Sequence, residues 1–209
     1  VADQLFALEA LGIQRFSIIA VSGGTPHALA LREQARDRVI KTALVSGLWN
    51  PTDPAILATM NRANRTFLQM GYRYPALTRL AVGCIATTWR FAPALAAIWF
   101  AIWLPKADRA IIRRREVAVV MAANLQQALC SGVSGVCQEF SRIAARHAVP
   151  SAAAQGSLQI WHGGDDDYVP ISMGQALARH TSAPFVLVPN AGHFMVIDII
   201  DQIFDWLTE

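Results

Sequence analysis

Residues Ile18 to Leu31 read IIAVSGGTPHALAL: a β-branched apolar run stops at Ser22, and an alanine- and leucine-rich segment with helical spacing follows at once. A short apolar run closed by small residues predicts a strand buried on both faces. Pro26 suits the first turn of the helix after it, where backbone N–H groups have no helical partner. A strand that turns sharply into a helix lifts its corner residue clear of the sheet, and the crowded backbone there requires small neighbours. Ala20 and Gly24 supply them, two residues either side of Ser22. The helix dipole and the Gly23 N–H then point to where negative charge would form on a bound group. A phosphate cradle of the dinucleotide type competes with this reading. SGGTPH lacks the GxGxxG spacing, however, and no acidic residue closes the next strand as a ribose ligand would.

Outward from this corner the chain has an α/β rhythm. Leu5, Phe6, Leu8 and Leu11 recur at helical spacing before Gly12; then come the strand RFSIIAV, a helix over residues 24–36, and the strand RVIKTALVSG ending at Gly47. Between Pro51 and about Pro150 the rhythm gives way to a mostly helical region rich in tryptophan. It resumes with the strand SLQIWHG, the helix ISMGQALARH, the strand PFVLVPN and the closing helix IDIIDQIFDWL. The expectation is a mostly parallel sheet with flanking helices, built from residues 1–48 and 151–209 and interrupted by a helical insertion over 49–150. SAAAQGS at 151–157 has the small-residue composition of a linker.

The 209 residues are 54% hydrophobic and only 16% charged, where soluble domains carry about 25% charged residues. Some apolar surface is therefore expected to face a lipid-like substrate, a partner or a further segment. A net charge of +3, with its one dense basic run, Arg113 to Arg115, read as the solvated face of a helix, argues against a nucleic-acid partner. Cys84, Cys130 and Cys137 have no metal-ligand spacing. The last two, seven apart on one expected helix, would lie about 10 Å from each other, too far to bridge. Free thiols and the absence of a signal-peptide pattern predict a cytoplasmic protein. FAPALAAIWFAIWL, Phe91 to Leu104, has 14 residues, is interrupted by Pro93 and falls short of the roughly 20 needed to span a bilayer. It reads as a buried or interfacial helix.

A serine at neutral pH is a poor nucleophile and needs a histidine base, held in turn by a carboxylate. Of the five histidines, His193 in the loop AGH follows a strand, at the end of a sheet where α/β proteins place reacting groups. His27 lies along the helix after Ser22, His147 and His180 sit near polar helix ends, and His162 precedes Gly163 in a structural turn. HGGDDDYVP offers Asp165, Asp166 and Asp167 as orienting acids, with no calcium-loop spacing around them to favour a cation site. The order Ser, Asp, His is that of the strand-turn-helix architecture.

These three segments resemble the α/β-hydrolase family. LGIQRFSIIAVSGGTPHALAL is similar to the family's nucleophile segment, IWHGGDDDYVP to its acid loop and VPNAGHF to its histidine loop. The resemblance implies Ser22 as nucleophile, Asp166 as acid, His193 as base and Gly23 as an oxyanion donor. Asp166 is selected because it lies three residues after Gly163 and four before Pro170. Ala20 stands where the family most often has glycine. The family's earlier strands, one ending in a His-Gly loop with a second oxyanion donor, have no counterpart here. The first sheet strand is therefore expected to expose an edge that associates with another copy or with a preceding segment.

The implied chemistry is hydrolysis of a small apolar ester or lactone through an acyl-enzyme, with no metal or organic cofactor. The insertion would act as a cap, with Trp89, Trp99 and Trp103 as candidate pocket walls. Two other readings stand beside this one: a catalytically silent binding or interaction protein on the same fold, and a membrane-surface anchor in the helix of residues 91–104.

Overall fold

A computed structural model describes residues 1–92, 95–96, 104–143 and 157–209. The chain divides into two compact units, Val1–Asn50 with His147–Glu209, and Pro51–Arg146.

In the first unit, α1 (Ala2–Ala10) ends at Gly12, whose φ of +67° is the left-handed conformation that glycine adopts without strain. Strand β1 (Phe16–Val21), helix α2 (Thr25–Gln34) and strand β2 (Val39–Val45) follow. The described part of the first unit resumes with β3 (Ser157–Gly163), and its later strand is β4 (Phe185–Val188). The four strands form a parallel sheet in the order β1-β2-β3-β4. Parallel strands need crossovers, so helices cover both faces and each strand is apolar along most of its length. One register row, Ala20–Leu44–Ile160–Phe185, crosses all four strands, and Val21–Val45–Trp161–Val186 is the next.

Successive residues alternate between faces. Ala20, Leu44 and Ile160 pack with Leu29 of α2 and Leu177 on one side. Val45 and Trp161 pack with Met195, Ile199 and Ile203 on the other. Leu177 belongs to α9 (Ile171–Thr181), and Ile199 and Ile203 to the closing helix α10 (Val196–Thr208). Each fully buried Leu or Ile in these layers contributes roughly 2 kcal/mol.

The second unit is helical throughout its assigned elements: α3 (Pro54–Thr59), α4 (Arg62–Arg73), α5 (Pro75–Phe91), α6 (Lys106–Ile112), α7 (Arg115–Leu129) and α8 (Ser134–Ile143). The Asp53 carboxylate accepts from Ala55 N–H at 2.9 Å to open α3, and the Asn61 side chain accepts from Asn64 N–H at 2.9 Å to open α4. Two expectations need correction. Arg113 to Arg115 are not inside one helix: Arg113 closes α6, Arg114 caps α7 and Arg115 begins it. Cys130 and Cys137 are not on one helix either, because Cys130 ends α7, Gly132 turns the chain at φ +91°, and Cys137 lies on α8. Among the described residues no helix is long and apolar enough to cross a membrane. Most of the stretch from 91 to 104 lies outside the described residues.

Candidate active site

All four strands run the same way, so their carboxyl ends share one edge of the sheet, and the predicted chemistry sits there. Ser22 comes one residue after the row Val21–Val45–Trp161. It has φ +53°, a left-handed conformation that costs a non-glycine residue about 1–2 kcal/mol and that packing around the corner must hold. The Ser22 carbonyl accepts from Leu48 N–H at 3.1 Å, which ties the corner to the turn after β2. A Cβ on Gly24 would meet the Ala20 methyl at 3.7 Å, so the strand and the start of α2 approach closely across the corner. Gly23 is the middle residue of the single turn, Ser22–Gly24, that links β1 to α2.

The acid loop leaves β3, two strands from β1 and therefore roughly 10 Å away across the sheet. Of the three adjacent aspartates, Asp165 and Asp167 are exposed, whereas the Asp166 side chain is fully buried. Its Oδ1 accepts from Tyr168 N–H at 2.9 Å and from Val169 N–H at 2.8 Å. Its Oδ2 faces Nδ1 of His193 at 2.9 Å. A carboxylate at that distance accepts a hydrogen bond from Nδ1–H, which holds the proton on Nδ1 and leaves the Nε2 lone pair of the imidazole free to receive one. His193 begins the short turn His193–Met195 after β4 and is buried beside the rings of Tyr168, at 5.4 Å, and Phe194, at 5.7 Å. Two backbone bonds lace the acid and histidine loops together, Gly164 N–H to the Val188 carbonyl and Asp165 N–H to the Ala191 carbonyl, both 2.9 Å. Gly163 permits that contact: a Cβ there would run into the carbonyl oxygens of Ala191 and, at 2.7 Å, Gly192.

His162 has a larger part than its sequence position implied. It shares the sheet face of Leu158 and Ile160 and is completely buried. Its Nε2–H donates to the Val169 carbonyl at 2.8 Å, on the loop that grips Asp166, and the same nitrogen lies 3.7 Å from Asp166 Oδ2. Among the described residues its Nδ1 has no hydrogen-bond partner, and it faces Gly174 of α9, where a Cβ would come within 3.0 Å of the ring carbons. Burial pushes the His162 imidazole below the usual histidine range, opposed by the Val169 hydrogen bond and the Asp166 charge. Ser46, one residue past β2, was also not foreseen: it is fully buried at φ +48°, and its hydroxyl has no partner among the described residues.

Among the described residues, none of the other candidates named from sequence is part of the Asp166–His193 contact. His27 is on α2, His180 lies tilted against Trp49 with ring centroids 4.8 Å apart, and His147 is outside the described residues. Trp89 is half-buried on α5, while Trp99 and Trp103 lie outside the described residues. Among the described residues no group of three His, Cys, Asp or Glu side chains could hold a metal ion.

A sequence model described as alpha/beta hydrolase fold matches residues 1–198. None of the curated proteins matches the sequence. Among solved structures, the chain is similar to a hydrolase from Pseudomonas aeruginosa PA01, with a TM-score of 0.60 and 19% identity over 99% of this chain and 68% of that one. It is also similar to a thermophilic esterase from Thermogutta terrifontis, with a TM-score of 0.55 and 19% identity over 97% of this chain and 68% of that one. An alpha/beta hydrolase enzyme from a Medee basin deep-sea metagenome library gives a TM-score of 0.56 and 14% identity over 98% of this chain and 67% of that one. At these identities the likeness is one of fold.

Proposed function

The chain belongs to the alpha/beta hydrolase fold family, and from that premise we propose that it is a serine hydrolase acting on a small ester-like substrate, with Ser22, His193 and Asp166 as its triad. The observation that carries the reading is the buried 2.9 Å contact between Asp166 and His193, at the same sheet edge where Ser22 is held in a left-handed corner. In this reading Ser22 Oγ attacks the carbonyl carbon while His193 Nε2 accepts its proton and later returns it to the leaving alcohol. Asp166 fixes the imidazole and stabilises its charged form. The Gly23 N–H donates to the developing oxyanion, an interaction whose loss elsewhere costs roughly 100- to 1000-fold. Water then attacks the acyl-serine as His193 Nε2 takes its proton; the acyl–Oγ bond breaks, the acid leaves and the imidazolium returns the proton to Ser22 Oγ.

An apolar ester or lactone is the preferred substrate class, on the apolar composition of the 49–150 insertion and its place in the chain between nucleophile and acid. We assign substrate selection to that insertion as a cap, with Trp89, Trp99 and Trp103 as candidate contacts. A reducing cytoplasmic setting suits the three free thiols.

Reaction with a fluorophosphonate probe tests the assignment. Labelling should map to Ser22 and disappear in His193→Ala. A folded chain that takes no label would instead be a catalytically silent binding protein on this fold.

A further inference from the structure

The net charge of +3 conceals a partition. Residues 51–146 contain twelve arginines and lysines against four acidic residues, and the rest of the chain six against eleven, so the helical unit carries +8 and the remainder −5. Among the described residues the basic unit also has most of the large exposed apolar side chains, and several of them share one face of α5. At 100° per residue, Leu77, Leu80, Cys84 and Phe91 fall within about 60° of one another on that helix. All four are exposed, with Leu80 at 65% and Phe91 at 76% of their full area. Thr78 and Val82, on the opposite side, are the residues α5 buries where it packs on its neighbours. A row of exposed apolar groups along one helix face is not an ordinary solvated surface.

Each end of the row is closed by an arginine stacked on an aromatic ring. The Arg73 guanidinium lies 5.9 Å from the Tyr74 ring centre at the start of α5, and that of Arg90 lies 5.6 Å from the Phe91 ring centre at its end. Such pairs have an apolar body and a charged tip, which suits the boundary between acyl chains and head groups. We propose that this face of α5 docks the protein on an anionic lipid surface, its leucines and Phe91 entering the head-group layer and the unit's arginines meeting lipid phosphates. Two rivals fit less well. Nucleic acid would satisfy the arginines but leave Leu77 and Leu80 uncovered, since aliphatic side chains are poor stacking platforms. A second copy meeting this face would set +8 against +8.

The test is flotation of the whole chain with vesicles of phosphatidylcholine alone and of phosphatidylcholine mixed with phosphatidylglycerol. The protein should float with the mixed vesicles, stay behind with the neutral ones, and be released by salt. Leu80→Asp with Phe91→Asp, and separately Arg73→Glu with Arg90→Glu, should each weaken flotation about tenfold or more, with unchanged circular dichroism because all four side chains are exposed. Failure of the wild-type chain to float with the anionic vesicles overturns the proposal. So does equal flotation of the Leu80/Phe91 variant, or loss of vesicle binding to competing RNA at equal phosphate concentration. None of these readouts depends on hydrolysis, so the proposal stands or falls apart from the assignment of Ser22.

Discussion

Nδ1 of His193 lies 2.9 Å from Oδ2 of Asp166, while Oδ1 of that carboxylate is occupied by the backbone N–H groups of Tyr168 and Val169. One oxygen thus fixes the loop and the other fixes the imidazole. Asp166→Asn keeps an acceptor for the two backbone donors but turns an amide N–H toward His193, which then holds the wrong tautomer. Hydrolysis of a short-chain nitrophenyl ester should fall about 10⁴-fold with little loss of folding stability. Asp165→Asn and Asp167→Asn, at exposed positions, should stay close to the wild-type rate. If Asp165→Asn or Asp167→Asn abolished activity and Asp166→Asn did not, the triad assigned here would be wrong.

Gly163 and Gly164 are adjacent yet should respond differently to a methyl group. A Cβ at Gly163 meets backbone oxygens of the histidine loop, which can move away only by pulling His193 from Asp166; at Gly164 the nearest atom is 3.6 Å away, an ordinary contact. Gly163→Ala should destabilise by about 2–3 kcal/mol in a denaturant titration and depress activity further, and Gly164→Ala by less than about 1 kcal/mol. Equal costs would mean that the two loops are not locked through this contact.

The sheet was legible because each strand is a local apolar run with a turn signal at its end, and β1, β2, β3 and β4 lie within the segments RFSIIAV, RVIKTALVSG, SLQIWHG and PFVLVPN. The corner at Ser22 was legible for the same reason. What the residues alone left open was which of three consecutive aspartates turns inward, since that depends on two N–H groups of the following residues and on a loop 27 residues away. The role of His162 was readable in part: it has the parity of Leu158 and Ile160, which places it inside, but its bond to the Val169 carbonyl is a loop contact with no periodic signature. The break between Cys130 and Cys137 had a signal in Gly132 that helical periodicity on either side obscured.

His162 makes stability depend on pH in a definite direction. Its folded pKa is lowered by burial, so the unfolded chain binds a proton at higher pH than the folded one does. Stability contributed by the neutral buried ring is therefore complete above about pH 6.5, the unfolded value, and is lost as pH falls from there toward the lowered folded value. In that window the wild type should lose up to about 1.4 kcal/mol per pH unit more than His162→Gln, which has no proton to take up. Denaturation midpoints measured between about pH 5 and pH 8 for the two proteins check this, and parallel curves would mean that the buried ring does not resist protonation.

The left-handed corner at Ser22 predicts an opposition between chemistry and stability at one residue. Ser22→Ala and Ser22→Gly both remove the nucleophilic oxygen, so both should refuse a fluorophosphonate label. They differ in the backbone: alanine keeps the Cβ that opposes φ +53°, and glycine does not. Glycine loses more freedom on folding, about 0.5–1 kcal/mol, but it escapes a strain of about 1–2 kcal/mol. The Ser22 carbonyl bond to Leu48 N–H is available in both variants, so it does not enter the difference. Ser22→Gly should therefore be the more stable of the two by up to about 1 kcal/mol, read from denaturant midpoints at equal slopes. Were Ser22→Ala the more stable, the corner would not be held against its preferred conformation.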